Sequence, residues 1–264
     1  MLKEFLNNAE VQEVQAAVAA LLSSPQESAC ERPHNTLLPL RWNDSIVQSL
    51  LTSERRLQLL SDSVGADDLK WISGYVSIKE AHSPPLWWHQ DWWCWDHAVS
   101  YRRPAPQIAT LCYLTKTNAH NGALRVLPGS HIKSAPIHAV LPEAHGQAAE
   151  SIGPEHIAMR DISDQATLSL GAGDAIVMDY RLLHGTHGNA SDAKRSSILL
   201  SFTPSWQGLP HDIKAHLIDH PAQPTADEIA QIPPTMAKVL PAFNGERRSL
   251  PLNRNAPSTF VIVD

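Results

Sequence analysis

Apolar residues recur at three- and four-residue spacing between Glu10 and Leu22, where Val11, Val14, Val18 and Leu21 fall on one stripe. That spacing predicts an amphipathic helix. A second helix is predicted from a cap at Asn43 or Asp44 through Ile46, Val47, Leu50 and Leu51, running on toward Leu60. After Asp68 the period shortens to short runs rich in β-branched and aromatic residues, broken by Pro, Gly, Asn and Asp. These runs are Lys70–Lys79, Leu86–Trp93, Gln107–Thr115, Ala123–Leu127, Ala166–Leu170, Ala175–Tyr180 and Arg195–Thr203. Closely spaced strands with turn residues between them predict a mainly β protein, a sandwich or barrel. Ser134 to Asp164 shows little apolar periodicity and reads as a long loop inserted between strands, the kind that often serves as a lid or binding loop. Beyond Phe202 prolines are frequent, with a helix-like patch at Ala226–Ile232 and a strand-like end at Phe260–Val263. The expectation is one domain over 1–264: helices in about 1–68, a β core in about 69–205 with its insertion at about 134–164, and an extension over 206–264.

Composition narrows the partners. The chain has 264 residues and is 43% hydrophobic, enough for a sizeable core. Its formal charge is −6, and its basic residues occur as scattered pairs such as Arg55-Arg56, Arg102-Arg103 and Arg247-Arg248. Such a distribution gives a poor grip on nucleic acid or an anionic membrane. Cys30, Cys94 and Cys112 form no CxxC pair, which argues against a disulfide framework or a cysteine zinc site and suits reduced thiols. With no signal-peptide pattern at Met1 and no long apolar run, a soluble, cytoplasmic protein is expected.

The candidate chemistry begins at "WWHQDWWCW", residues 87–95, which gathers five of the eight tryptophans around His89 and Asp91. On a strand, residues i and i+2 share a face, so His89 and Asp91 can present an imidazole and a carboxylate to one point. Such a pair is weak evidence alone. Downstream, in "GDAIVMDYRLLHGTHGNASDAKRSSILLSF", residues 173–202, a Gly-Asp turn leads into an apolar strand expected to end at His184. A second histidine from a distant strand would complete two imidazoles and a carboxylate on one face of an ion, the facial triad of non-haem Fe(II) oxygenases. Arg195 opens the next strand with Ser197 on its face. A buried guanidinium needs an anion, and the far carboxylate of 2-oxoglutarate would serve, with Ser197 as a further donor.

His89-Gln90-Asp91, "NGALRVLPGSH" at 121–131, "LLHGTHGN" at 182–189 and Arg195-x-Ser197 together resemble the phytanoyl-CoA dioxygenase family of Fe(II)- and 2-oxoglutarate-dependent oxygenases, over roughly residues 70 to 203. The resemblance implies a double-stranded β-helix, a jelly-roll barrel with the metal in its mouth. It implies Fe(II), 2-oxoglutarate and O2 as cofactor and cosubstrates, and hydroxylation of a small molecule with release of succinate and CO2. By position in the motif His184 is the distal ligand, with His187 the alternative. Ser77, on the strand before the ligands, is a further candidate contact for the cosubstrate. Trp88-His89-Gln90-Asp91-Trp92-x-x-Trp95 is also similar to the corresponding stretch of ectoine hydroxylases. Trp92, Trp93 and Trp95 are expected to wall the substrate pocket and to keep bulk water from the metal. The dispersed positive charge offers no grip for CoA phosphates, which favours a small metabolite. The same three ligands around zinc would suit a hydrolase, and a jelly roll with a structural metal would be a binding module; neither employs Arg195 and Ser197.

Overall fold

The computed structural model describes residues 1–23 and 35–262, so Cys30 and Val263 lie outside it. The first helix, α1, spans Asn8–Ser23 and begins in a reciprocal cap: the Asn7 side chain accepts from Glu10 N, and the Glu10 carboxylate accepts from Asn7 N. Its buried stripe is Val11, Val14 and Val18. The second predicted helix is two, α2 (Ser45–Leu51) and α3 (Glu54–Val64). Thr52 closes the first, while the Ser53 hydroxyl accepts from Arg56 N to open the second, and Gly65 ends it in the left-handed conformation at φ 63°.

Among the described residues nine strands follow one another as β1 (Thr36–Leu40), β2 (Lys70–Lys79), β3 (Leu86–His89), β4 (Ile108–Tyr113), β5 (Leu124–Val126), β6 (Ala166–Leu168), β7 (Ala175–Asp179), β8 (His184–Thr186) and β9 (Arg195–Thr203). They form two antiparallel sheets, in order β1-β2-β9-β4-β7 and β3-β8-β5-β6. Sequence reading passed over β1, whose Pro39 argues against a central strand; it is an edge strand, where proline is tolerated.

Each face of the larger sheet has its own core. Outward, Val76, Ile78, Cys112, Ile198 and Leu200 pack against α1, α2 and α3. Inward, Ala109, Leu111, Tyr113, Ile176 and Met178 meet Leu124 and Val126 of the smaller sheet, so the second core lies between the sheets. Burial of each such Val, Leu or Ile contributes about 1.5–3 kcal/mol, which holds the helices on the sheet more than their propensity does.

The chain passes from one sheet to the other at residues 179–184. Arg181 pairs with Asp179 and donates to the carbonyls of Ser100 and Arg102. The expected apolar strand therefore stops at Asp179, and His184 opens β8 of the other sheet. The 134–164 insertion is not structureless. It carries two short 3-10 turns and one helical turn, α4 (Gln147–Glu150), and packs over Trp87 and Trp88.

After the sheets come α5 (His211–Ile218), missed by sequence reading, and α6 (Pro234–Ala237). The Ala226–Ile232 patch forms an exposed or half-buried 3-10 turn over Ala226–Gln231. The strand-like end reduces to backbone bonds from Ser134 N to Phe260 O and from Ile262 N to Ile132 O. No described helix is long and apolar enough to cross a membrane.

Candidate metal centre

His89 ends β3 and His184 begins β8, directly opposite each other in the register of the smaller sheet. Their rings lie 4.2 Å apart between centroids. Asp91 reaches the same point by another route than strand pleating. The strand stops at His89, and the N–H groups of Asp91 and Trp92 both donate to the Tyr180 carbonyl, at 3.0 and 2.9 Å. That bifurcated anchor turns the carboxylate toward the imidazoles: Asp91 Oδ1 lies 3.6 Å from His89 Nε2, and Oδ2 lies 3.5 Å from His184 Nε2. Ligand atoms of the three residues lie within 4.8 Å of one another, the spacing of donors around one ion.

The tautomers follow from the neighbours. His89 Nδ1 lies 2.9 Å from the Trp87 carbonyl and His184 Nδ1 lies 3.0 Å from the Leu182 carbonyl. A carbonyl only accepts, so both rings donate from Nδ1, and Nε2 is the nitrogen that faces Asp91 and is placed to ligate a metal. Burial, with His184 beside it, pushes His89 well below the ordinary histidine value, against the pull of Asp91. Burial pushes Asp91 up, but the imidazoles of His184, His145 and His89 outweigh it and hold the carboxyl below the usual range. A divalent metal requires neutral imidazoles and an ionised carboxylate as ligands, and burial favours the neutral ring at His89 while the neighbouring histidines favour the ionised Asp91. His187 takes no part: its Nε2 lies 2.8 Å from Thr167 Oγ1 and its Nδ1 faces Asp161.

The facing sheet carries a buried cluster of cationic and hydroxyl side chains. Antiparallel register places Lys79 opposite Arg195 and Ser77 opposite Ser197, with Tyr113 beside Ser197 on the next strand. Arg195 is 2% exposed, its guanidinium lies 5.3 Å from the Tyr113 ring, and burial pushes its pKa down. Arg195 Nε and Ser197 Oγ are buried with no hydrogen-bond partner among the described residues. Lys79 is also buried and donates to the Pro84 carbonyl; burial, with Arg195 and Arg125 nearby, pushes it down to about 7. Two cations directly opposite on one face repel, and orphaned donors beside them are costly. A bound dianion relieves both, so these residues fit a dicarboxylate. Ser77 is on this face, but its hydroxyl exchanges hydrogen bonds with Asn35.

The tryptophans divide. Trp93 lines a cavity of about 460 Å³ that reaches Asp91; its ring stacks on His216 at 4.1 Å and its N–H donates to Gln107. Trp92 and Trp95 are corrected to core positions. Trp92 is fully buried and donates to Ser100 Oγ, while Trp95 packs on Phe260 and Tyr101, and neither lines the cavities at the metal centre. The turn after His89 breaks the expected rim, so only the middle indole faces the site.

One residue beside the centre escaped sequence reading altogether. His145, from the insertion, donates from Nε2 to Asp91 Oδ1 at 3.0 Å, and its ring stands edge-on to His89 at 5.0 Å. Its backbone has φ 62°, so the loop takes a left-handed step to deliver it. Among 14 histidines, in a stretch without periodicity, nothing in the sequence distinguishes it.

Comparison with known proteins follows the same lines. A family model described as phytanoyl-CoA dioxygenase (PhyH) matches residues 1–197. Ectoine dioxygenase of Nocardia farcinica (strain IFM 10152) is 32% identical over 127 residues, covering 44% of this chain and 41% of that protein. A probable alpha-ketoglutarate-dependent hypophosphite dioxygenase of Stutzerimonas stutzeri is 27% identical over 157 residues, covering 59% of this chain and 52% of that protein. The chain thus spans only about half the length of these curated relatives. Among solved structures, the epimerase SnoN in complex with Fe3+, alpha ketoglutarate and nogalamycin RO superposes with a TM-score of 0.57 at 20% identity, over 85% of this chain and 86% of that one. HygX from Streptomyces hygroscopicus, with nickel, 2-oxoglutarate and hygromycin B bound, gives 0.56 at 16% identity, over 77% and 81%. At such identities the likeness is one of fold.

Proposed function

The chain belongs to the phytanoyl-CoA dioxygenase family, and from that premise we propose that it is an Fe(II)- and 2-oxoglutarate-dependent oxygenase that hydroxylates a small metabolite. The observation that carries the proposal is the convergence of His89, Asp91 and His184 across from a buried, anion-deficient Arg195 and Ser197. We read the two facing sheets as a double-stranded β-helix, and residues 1–264 as one oxygenase domain in which α1–α3 brace the larger sheet. The free, buried thiols of Cys94 and Cys112 suit a cytoplasmic protein.

In this reading His89 Nε2, His184 Nε2 and the Asp91 carboxylate hold the iron. Bound iron with 2-oxoglutarate supplies the activation of O2 and the oxidative decarboxylation of the cosubstrate to succinate and CO2. The protein supplies position and dryness. The Trp87 and Leu182 carbonyls keep both imidazoles in the ligating tautomer, and His145 restrains Asp91. Arg195 and Ser197 take the distal carboxylate of the cosubstrate, and Trp93 and the Tyr180 ring exclude water from the cavity beside Asp91. A hydrolytic reading leaves Arg195 and Ser197 without a task.

Purified protein given Fe(II), ascorbate and 2-oxoglutarate in air should release succinate slowly without added substrate. Arg195→Ala should raise the dissociation constant for 2-oxoglutarate on the Ni(II)-loaded protein roughly a hundredfold, the order expected for a desolvated charge pair. Nickel affinity should be unchanged. Absence of succinate from the wild-type protein, together with equal 2-oxoglutarate affinity in both forms, overturns the proposal.

A further inference from the structure

The cavity of about 460 Å³ beside Asp91 is walled by Tyr75, Trp93, His145, Tyr180 and Arg254. A smaller cavity of about 120 Å³ reaches His89, and Arg254 borders that one too. Arg254 is the one arginine or lysine among the described residues lining either cavity. It is half-buried and makes no hydrogen bond or ion pair with any described residue. The larger cavity's carboxylates do not answer it: Asp91 belongs to the metal triad, and Asp219 is exposed and accepts from Ser249.

The backbone that carries Arg254 is fixed through its neighbour Asn253. Asn253 N donates to the Trp93 carbonyl at 2.8 Å and Trp95 N donates to the Asn253 carbonyl at 3.1 Å. The Asn253 side chain donates to Asp96 at 2.7 Å and accepts from Asn255 N at 2.9 Å. Residue 253 is therefore stitched to the segment that follows the metal-binding turn, and Arg254 projects beside the site from a fixed backbone. A half-desolvated, partnerless guanidinium presented by a rigid support is preorganised for a carboxylate or another oxyanion. The volume suits a compact molecule, within the range of ordinary small-ligand sites.

We propose that Arg254 is the specificity-determining anchor of the prime substrate, and that this substrate is a compact metabolite bearing a carboxylate, gripped at the cavity mouth so that its body lies along Trp93 toward the metal triad. The inference rests on the oxygenase reading and deepens it, since it names what the same site accepts. Arg195, on the facing sheet, remains the anchor of the cosubstrate.

The test uses matched pairs on the full-length protein loaded with Ni(II) and 2-oxoglutarate: phenylacetate against phenylacetamide, and cyclohexanecarboxylate against its amide, titrated by ligand-observed NMR. In the wild-type protein the carboxylate of at least one pair should bind tenfold or more tightly than its amide. Arg254→Gln should abolish that preference, and Arg254→Lys should restore part of it, while 2-oxoglutarate affinity stays within twofold throughout. Equal binding of acid and amide by the wild type in both pairs, or a preference that survives Arg254→Gln, overturns the inference. Loss of 2-oxoglutarate affinity in Arg254→Gln as large as in Arg195→Ala would assign Arg254 to the cosubstrate and also overturns it, yet leaves the oxygenase reading intact. Failure of that reading shows separately, as absent succinate in the wild type.

Discussion

At the scale of single residues, the tryptophans show how local context divides one sequence motif. Trp93 and Trp95 share strand parity, yet one faces the cavity beside Asp91 and the other is core, because the backbone turns at the Tyr180 carbonyl before the alternation reaches Trp95. Trp95→Ala should therefore cost about 3–5 kcal/mol in urea denaturation, the usual range for deleting a buried indole, while leaving phenylacetate binding unchanged. Trp93→Ala should weaken phenylacetate binding tenfold or more. Lys79 gives a second prediction. Its folded-state pKa, near 7, lies below the ordinary lysine value, so between about pH 7 and 10 the unfolded chain binds a proton that the folded chain has shed. Unfolding then takes up a proton, and the cost of burying the charge, fully present below pH 7, is relieved as pH rises. Wild-type protein should accordingly gain urea resistance between pH 7.5 and 9 relative to Lys79→Met, whose difference from wild type narrows over that interval. A parallel pH response in the two proteins would refute the assignment.

At the scale of elements, the insertion is clasped from one point. Arg125 faces away from the inter-sheet core on β5, lies 4.7 Å from the Trp88 ring, and donates to the carbonyls of Leu86, Ala158, Met159 and Arg160 and to Asp161. Removing a buried charged donor from several carbonyls costs about 1.5–3 kcal/mol. Because Ala158, Met159, Arg160 and Asp161 belong to the insertion, and only Leu86 to β3, the loss should fall mainly there. Arg125→Met should make 141–161 the first site of limited proteolysis and weaken metal binding through the released His145, with the β core intact by circular dichroism. The element pattern was legible where it is periodic, as in α1 and the long strands β2 and β9. It was not legible where a corner decides: a capping serine splits α2 from α3, and the Asp179–Arg181 pair ends β7 early and leaves His184 to open β8.

At the scale of the whole molecule, the proposed centre joins the two sheets, with His89 and His184 on the smaller, Asp91 just beyond it, and Arg195 and Ser197 on the larger. Ligands that bind only this assembled form stabilise it by mass action, by about 4 kcal/mol at a thousandfold excess over Kd. Ni(II) and 2-oxoglutarate together should raise Tm by more than the sum of either alone, because in the proposed reading His89, Asp91 and His184 would hold the metal and Arg195 the far end of the same dicarboxylate. Arg195→Ala should keep the nickel increment and lose the joint one, which thermal scans will show. The amino-acid sequence by itself determined the family, a sheet-rich class, and which residues to propose as metal ligands and anion anchor. Those depend on residue type at fixed local spacing, and two imidazoles, a carboxylate and a guanidinium admit few other combinations of chemistry. Tertiary structure alone decided that His145 reaches Asp91, that Trp92 and Trp95 are core, and that Arg254 enters the cavity from the far end of the chain. Each of these is set by how a loop or the C-terminal segment packs against the sheets, and no local period encodes it.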